Sequence, residues 1–299
     1  MKVVNKERKP EWLRVKVPSG QNFTKIKYYS SKSHLSTVCE EAKCPNMGDC
    51  WKSGTATFML MGNVCTRACR FCSVKTAKNP PPLDSNEPDN LAETLKNMNL
   101  KYAVLTTVDR DDLVDQGAEH IKTCVDRIRE NCPELMIELL IPDFQGKSEL
   151  IKKVAFSGAQ VIGHNLECTR KLTRKVRDVR AGYDQSLFVL EKLREMNPDI
   201  HTKSSLMLGF GETEDEVIEA MRDIRKVGTN FLTLGQYLQP DKTKLPVIDY
   251  IHPDRFKWFE EKGLEIGFEY VASGPLVRSS YRAAEHFLHR KLMKEIKIK

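Results

Sequence analysis

The chain has 299 residues, 40% of them hydrophobic and 30% charged, and its 48 basic and 41 acidic side chains leave a net charge of +7. That is the composition of a soluble globular protein, long enough for one large domain or two smaller ones. No apolar run approaches the ~18 residues needed to cross a bilayer, and so mild a positive charge marks no nucleic-acid site, so neither membrane nor nucleic acid is expected as a partner.

The chain starts MKVVNKERKPEWLRVKVPSG. This start is charged, lacks the apolar core of a signal peptide and does not look like a transit peptide. The expectation is a reducing cytoplasm, where nine cysteines argue for metal binding or catalysis over disulfides. Residues 1–56 show no strong strand pattern and are expected to wrap a barrel. They carry CEEAKCPNMGDCW, in which Cys39, Cys44 and Cys50 are spaced C-x4-C-x5-C.

From residue 57 on, short apolar runs alternate with amphipathic stretches. Strands are expected over 57–61, 102–107, 136–141, 160–165, 203–208 and 231–236, with a later one over 266–272. Helices are expected over 90–98, 117–129, 148–156, 184–196, 214–227 and 254–262, with Thr213 and Glu216 forming a capping box. Residues 273–299 read as a loop and a basic closing helix. Apolar strands alternating with helices imply a parallel sheet covered by helices. Six such units over 57–263 are too few for a closed eight-fold barrel, which leaves an open three-quarter barrel or a doubly wound sheet. Either architecture puts chemistry at the C-terminal ends of the strands.

The loop after the first strand, GNVCTRACRFCSV, holds Cys65, Cys69 and Cys72 as C-x3-C-x2-C. Three thiolates suit an iron–sulfur cluster with one iron left open to an outside ligand. Zinc with three protein ligands and a water is the rival, and unligated thiols are the plain alternative. The upstream set alone would fit a structural zinc knuckle. Two three-thiol sets together suggest two clusters. Cys124 reads as a small buried residue, Cys132 as a loop cysteine and Cys168 as packing near the active face. The basic stretch TRKLTRKVRDVR (169–180) reads as a solvated face or as a docking surface for an acidic protein.

The C-x3-C-x2-C loop after a first barrel strand resembles the radical S-adenosylmethionine superfamily. The blocks KPEWLRVKVPSG, CEEAKCPNMGDCW, TFMLMGNVCTRACRFCSV, TVDRDDLVDQGAEH, HNLECTRKLTRKVR, KSSLMLGFGETEDEV, LTLGQYLQP and VASGPLVRSSY resemble the lipoyl synthase family within it. They run from about residue 9 to 284, and the upstream cysteines and RSSY are the most specific. Departures at Asn63 and Cys168-Thr169 leave the ligand positions intact.

The resemblance implies a partial (β/α)6 TIM-like barrel over 57–263, an N-terminal extension (1–56) and a C-terminal extension (264–299). It implies that Cys65, Cys69 and Cys72 hold a [4Fe–4S] cluster chelating S-adenosylmethionine, whose reductive cleavage gives a 5′-deoxyadenosyl radical. It further implies that Cys39, Cys44, Cys50 and Ser280, or else Ser279, hold an auxiliary [4Fe–4S] cluster. The reaction implied is insertion of two sulfur atoms, drawn from that auxiliary cluster, at C6 and C8 of a protein-bound octanoyl chain. Read locally, Ser279 and Ser280 would instead be a helix N-cap. Position on the active face offers Asp109, with Arg110 and Asp111 beside it, Asn165, Glu167, Lys203, Ser205 and Met207 as S-adenosylmethionine contacts. His164 reads as a hydrogen-bonded strand-end residue and GFGE (209–212) as a tight turn. The implied partners are an octanoylated lipoyl carrier domain or glycine-cleavage H protein, an electron donor such as flavodoxin or ferredoxin, and an iron–sulfur carrier protein.

Overall fold

The structure is a computed structural model that describes residues 9–14, 21–33, 35–41, 44, 46–52, 57–98, 100 and 102–280. The strands are β1 (Ser36–Thr37), β2 (Thr57–Leu60), β3 (Val64–Cys65), β4 (Lys75–Thr76), β5 (Tyr102–Thr107), β6 (Met136–Leu140), β7 (Val161–Gly163), β8 (His201–Leu208), β9 (Phe231–Gln236) and β10 (Tyr270–Gly274). The α-helices are α1 (Gln21–Lys32), α2 (Val38–Glu41), α3 (Met47–Lys52), α4 (Glu87–Met98), α5 (Ala118–Asn131), α6 (Ser148–Ala155), α7 (Thr173–Val176), α8 (Tyr183–Met196), α9 (Glu214–Lys226) and α10 (Pro253–Ile266).

Eight strands form one sheet in the order β1-β2-β5-β6-β7-β8-β9-β10. All neighbours from β2 to β10 run parallel, and β1 is antiparallel to β2. From β2 onward the order follows the chain without reversal, so this sheet has no switch point of the kind that defines a doubly wound fold. It winds one way as an open, TIM-like partial barrel. The N-terminal segment, which shows no strong strand pattern in sequence, contributes β1, whose two residues are too short to show an alternating pattern.

β5 and β9 are buried on both faces along nearly their whole length, which is why their sequences read as near-continuous apolar runs. One core cluster lies beneath β2, β5, β6 and helices α4–α6; a second joins β8, β9, α9 and α10. Fully buried side chains such as Leu105, Ile121 and Phe256 contribute roughly 1.5–3 kcal/mol each relative to exposure. Helix starts follow their caps. Thr213 Oγ1 accepts from Glu216 N while Glu216 Oε2 accepts from Thr213 N, the expected capping box. The last strand begins at Tyr270 rather than 266, because α10 runs on to Ile266 and Gly267, in the left-handed region at φ 102°, ends it. Residues 281–299, expected to form a closing helix, lie outside the described residues.

Candidate functional site

The site is built at the C-terminal ends of the parallel strands. After β2 the chain reverses through Met61 and Gly62, at φ 68° and 81°, and enters β3, which ends on Cys65. The partner strand β4 closes the loop that carries Cys69 and Cys72 (Cys65 pairs with Thr76). That turn is tied down by a carboxylate: Glu87 Oε2 accepts from Met61 N at 2.8 Å and from His120 Nε2 at 2.6 Å. Cys124 lies close enough to complete a possible ligand trio with Glu87 and His120. Burial holds its thiol protonated, however, and Glu87 already serves two donors, so the trio acts as a strut.

Arg67, between the first two cysteines, is buried and fixes the loop. Its Nε and Nη2 donate to the Asp111 carboxylate at 2.9 and 2.8 Å, and Nη1 and Nη2 donate to Asp143 at 2.6 and 2.7 Å. Asp109 Oδ1 lies 3.4 Å from Nη1. Burial would raise both Asp111 and Asp143, but the Arg67 hydrogen bonds override it, lowering Asp143 and holding Asp111 down at about 2. Asp109 goes the other way, raised by burial to about 6 against the pull of Arg67.

Each of the three sulfurs receives backbone N–H groups. Cys65 Sγ accepts from Arg67 N at 3.4 Å and Asp109 N at 3.3 Å, Cys69 Sγ from Asp178 N at 3.3 Å, and Cys72 from Val74 N. Donors aimed at sulfur favour the thiolate. Burial nonetheless pushes the Cys65 and Cys69 thiols up to about 12, and Cys72 upward too. The thiols are therefore protonated at neutral pH and ionise only when a cation takes the place of their protons. A set of three soft donors with N–H support fits an iron–sulfur cluster.

The thiols line a cavity of about 290 Å³. Asp109, Asn165, Glu167, Ser205 and Met207 line it as well, so five of the six residues singled out for the cofactor share one cavity with the cysteines. Glu167 sits at φ 69°, a conformation that costs an L-residue roughly 1–2 kcal/mol. It is held there by bonds from its own N to Ser205 O (3.0 Å) and from Met207 N to its carbonyl (2.9 Å).

Lys203 does not line this cavity. It faces a smaller one of about 40 Å³ and pairs with Glu138 at 2.6 Å, while Tyr102 OH donates to the other Glu138 oxygen. Arg110 is buried against Asp112, and Asp111 is committed to Arg67. His164 donates from Nδ1 to Ile141 O and accepts at Nε2 from Ser186 Oγ, each at 2.9 Å. Burial lowers it to about 4, so it is a neutral structural imidazole, as its sequence position suggests. GFGE is the expected turn, with Glu212 capping Gly209 N and Phe210 N.

Three residues escaped sequence reasoning: Arg67, Asp143 and Arg177. Arg177 belongs to the basic stretch 169–180 but turns inward, only 7% exposed, and lines the cavity. Its Nη1 donates to Ser186 Oγ at 2.8 Å and to Leu166 O at 3.3 Å, and its Nε has no hydrogen-bond partner among the described residues. A buried guanidinium with spare donors at a cavity wall suits an anionic ligand group. The only signal for it in sequence was its place in a block following a strand.

Cys39 lies on α2 and Cys50 on α3, with Cys44 between the two helices. Cys44 N donates to Cys39 O at 3.0 Å, and Cys50 N donates to Asn46 O at 2.9 Å. Burial raises the Cys39 thiol to about 11, against a backbone N–H donated by Thr57. Asn46 Nδ2 donates to Leu276 O, which ties this segment to the C-terminal one. Burial lowers the Arg278 guanidinium and the nearby Cys44 opposes that, a second sign that the two segments meet. Ser279 lines both cavities and Ser280 the smaller one, whereas Tyr281 lies outside the described residues. The approach requires Gly235 on β9, since a Cβ there would fall 2.0 Å from Val277 O. The upstream segment also reaches the cysteine loop, where Ser73 Oγ donates to Glu41 O at 2.7 Å.

Residues 59–224, more than half of the chain, match the model of the radical SAM superfamily, and residues 1–44 match the N-terminal domain of lipoyl synthase. The mitochondrial lipoyl synthase of Rattus norvegicus is 54% identical over 286 residues, covering 94% of this chain and 77% of that one. The lipoyl synthase of Anaeromyxobacter sp. (strain Fw109-5) is 53% identical, covering 95% and 97%. The chain belongs to the lipoyl synthase family. It is a radical S-adenosylmethionine enzyme, and membership of that superfamily implies a [4Fe–4S] cluster and S-adenosylmethionine. Among solved structures, methylornithine synthase (PylB) matches with a TM-score of 0.53 at 14% identity, covering 85% of this chain and 79% of that one. The hydrogenase maturase HydG from Carboxydothermus hydrogenoformans matches with 0.55 at 13%, covering 79% and 66%. At that identity the likeness is one of fold, and it is the partial barrel read from the strand order.

Proposed function

We propose that this lipoyl synthase inserts two sulfur atoms, at C6 and C8, into an octanoyl chain carried on a lysine of a lipoyl carrier domain. The observation that carries the reading is that Cys65, Cys69 and Cys72 share a cavity with Ser279, while the upstream segment reaches the same cavity through Val38 and is tied to the Ser279-Ser280 segment by the Asn46–Leu276 hydrogen bond. Cys65, Cys69 and Cys72 would hold the [4Fe–4S] cluster of the superfamily. Cys39, Cys44 and Cys50, with Ser280 or else Ser279, would hold a second cluster that serves as the sulfur source. Serine oxygen is a harder and poorer ligand for iron than thiolate, which suits a cluster that must be dismantled. When bound, the first cluster with S-adenosylmethionine supplies a 5′-deoxyadenosyl radical, a reagent able to attack unactivated C–H bonds that no side-chain base could ionise.

The chain's own residues position and exclude. Arg67 holds the ligand loop in place through Asp111 and Asp143. Arg177 offers N–H donors to the carboxylate of S-adenosylmethionine, and Asn165, Glu167 and Ser205 offer polar contacts beside it. Val38, Met59, Leu140 and Val277 give the same cavity an apolar wall fit for an aliphatic chain. Residues 1–56 and 264–299 then act as extensions that bring the second thiol set over the barrel. The electron donor is a flavodoxin- or ferredoxin-type protein, and an iron–sulfur carrier rebuilds the consumed cluster.

The test is the mass of an octanoyl-lysine carrier before and after incubation with protein, S-adenosylmethionine and reductant. The reading predicts a gain equal to two sulfurs, less the hydrogens replaced. It also predicts that Cys39→Ala still yields 5′-deoxyadenosine but leaves the octanoyl mass unchanged. Normal lipoyl product from that variant would overturn the donor role of the upstream set.

A further inference from the structure

The basic stretch 169–180 is sorted by the structure into three groups. Arg170 and Lys171 are neutralised by Asp184 and Glu216, and Arg177 turns into the cavity. Arg180 is paired with Asp178 and Asp111. Arg174 and Lys175, in the last turn of α7, remain exposed, and among the described residues no carboxylate lies within salt-bridge range of either. Arg70, exposed between Cys69 and Cys72, joins them: its N donates to Val176 O at 2.9 Å and its Nη1 to Lys175 O at 3.2 Å. On its other side Leu245 N donates to Arg70 O at 3.0 Å, which brings Lys244 next to the ligand loop. Beside Arg174 the apolar Val179 is 74% exposed, and Arg174 Nη1 donates to its carbonyl at 2.9 Å. Three loops thus build a cationic patch that includes the exposed Val179, in which the one acid of the stretch, Asp178, is nearly buried and paired.

We propose that this patch, formed by Arg70, Arg174, Lys175 and Lys244 with the exposed Val179 beside Arg174, docks an acidic electron-transfer protein that reduces the cluster at Cys65, Cys69 and Cys72. The proposal rests on the cluster assignment above. Two observations select an electron carrier over the acyl carrier. The patch backbone touches cluster ligands directly, with Asp178 N donating to Cys69 Sγ at 3.3 Å, and Arg70 lies between two of them in sequence. Electron transfer weakens steeply with distance, so a partner seated here gains a short route to the sulfurs, while an acyl chain gains nothing. The net charge of +7 favours encounter with an anionic protein, and uncompensated rim charges set association rates more than residence.

The test uses full-length reconstituted enzyme and the double variant Arg174→Glu/Lys175→Glu, reading 5′-deoxyadenosine formation with two reductants: dithionite, and an acidic flavodoxin kept reduced by its NADPH-dependent reductase. With dithionite the variant should match the parent within about twofold, while with flavodoxin at low salt it should fall by roughly tenfold or more. Raising the salt concentration should slow the parent's flavodoxin-dependent rate and leave the variant's nearly unchanged. Equal flavodoxin-dependent rates for parent and variant would overturn the proposal, as would a variant defective only towards the octanoylated carrier. Failure of the parent itself with dithionite would instead refute the cluster assignment, so the two failures are distinct.

Discussion

The two cysteine segments are anchored in opposite ways. The downstream loop is nailed to the barrel by a buried guanidinium shared between Asp111 and Asp143, and each of its sulfurs already receives N–H donors. The upstream segment rests on two short helices, and its ties run to other parts of the rim: Asn46 to Leu276, Glu41 to Ser73 and Asn63. A loop that must present a cluster unchanged through many cycles is built into the scaffold. The upstream segment, proposed to carry a cluster that is consumed and rebuilt, is attached through a few separable contacts to the cysteine loop and to the C-terminal segment. Preorganisation on one side and reversibility on the other is the lesson of the contrast.

The largest expected effect breaks the rigid side. Arg67→Met leaves the buried Asp143 without its cationic partner and Asp111 with Arg180 alone, and should cost about 3–5 kcal/mol, seen as a lower urea midpoint. Iron at the downstream loop should be lost first. Arg67→Lys keeps the charge without the two forked pairs and should fall between parent and Arg67→Met. A midpoint for Arg67→Met equal to the parent's would show that the loop is not held this way.

Next is a pH effect on the floor of the same cavity. His164 titrates near 4 folded against an ordinary 6.5, so its neutral form is favoured by folding. Its contribution is complete above pH 6.5 and is lost as pH falls towards 4, because the unfolded chain takes the proton first. Between pH 7 and pH 5 this amounts to about 2 kcal/mol. His164→Gln should show a correspondingly shallower loss of stability over that interval in urea titrations; an identical pH slope would contradict the account.

Gly235→Ala probes the attached side. The added methyl meets Val277 O, so the Arg278-Ser279-Ser280 segment must shift, at a cost of roughly 1–3 kcal/mol. Sulfur insertion should fall much more than S-adenosylmethionine cleavage; equal losses would mean that the segment serves both sites alike. Thr213→Ala, remote from both cysteine sets, should cost only about 1 kcal/mol and leave the ratio of cleavage to insertion untouched.

What was legible in sequence follows from what is local. The Thr213–Glu216 cap, the apolar strands and the two cysteine spacings are each contained within a few residues, and the structure has the cap where that pattern puts it and the strands close to theirs, except that β10 starts four residues later than expected. The strand at β7 stops at Gly163, short of the run read to 165, because beyond it the backbone leaves the sheet and turns left-handed at Glu167. The Arg67 clamp was not legible, since residues 67, 111 and 143 meet only when three strand ends converge. Lys203 illustrates the same limit. Its strand and face were read correctly, but its depth in the barrel, where it pairs with Glu138, depends on register. Arg177 and Lys175 are two residues apart in one basic run, and only the fold sends one inward and the other to the surface.

The most direct measurement is the iron and acid-labile sulfide content of protein purified and reconstituted without air, parent beside a Cys39→Ala/Cys44→Ala/Cys50→Ala variant. Two clusters require about eight irons per chain in the parent and about four in the variant, with 5′-deoxyadenosine formation retained by the variant. About four irons in the parent, or an unchanged count in the variant, would contradict the account.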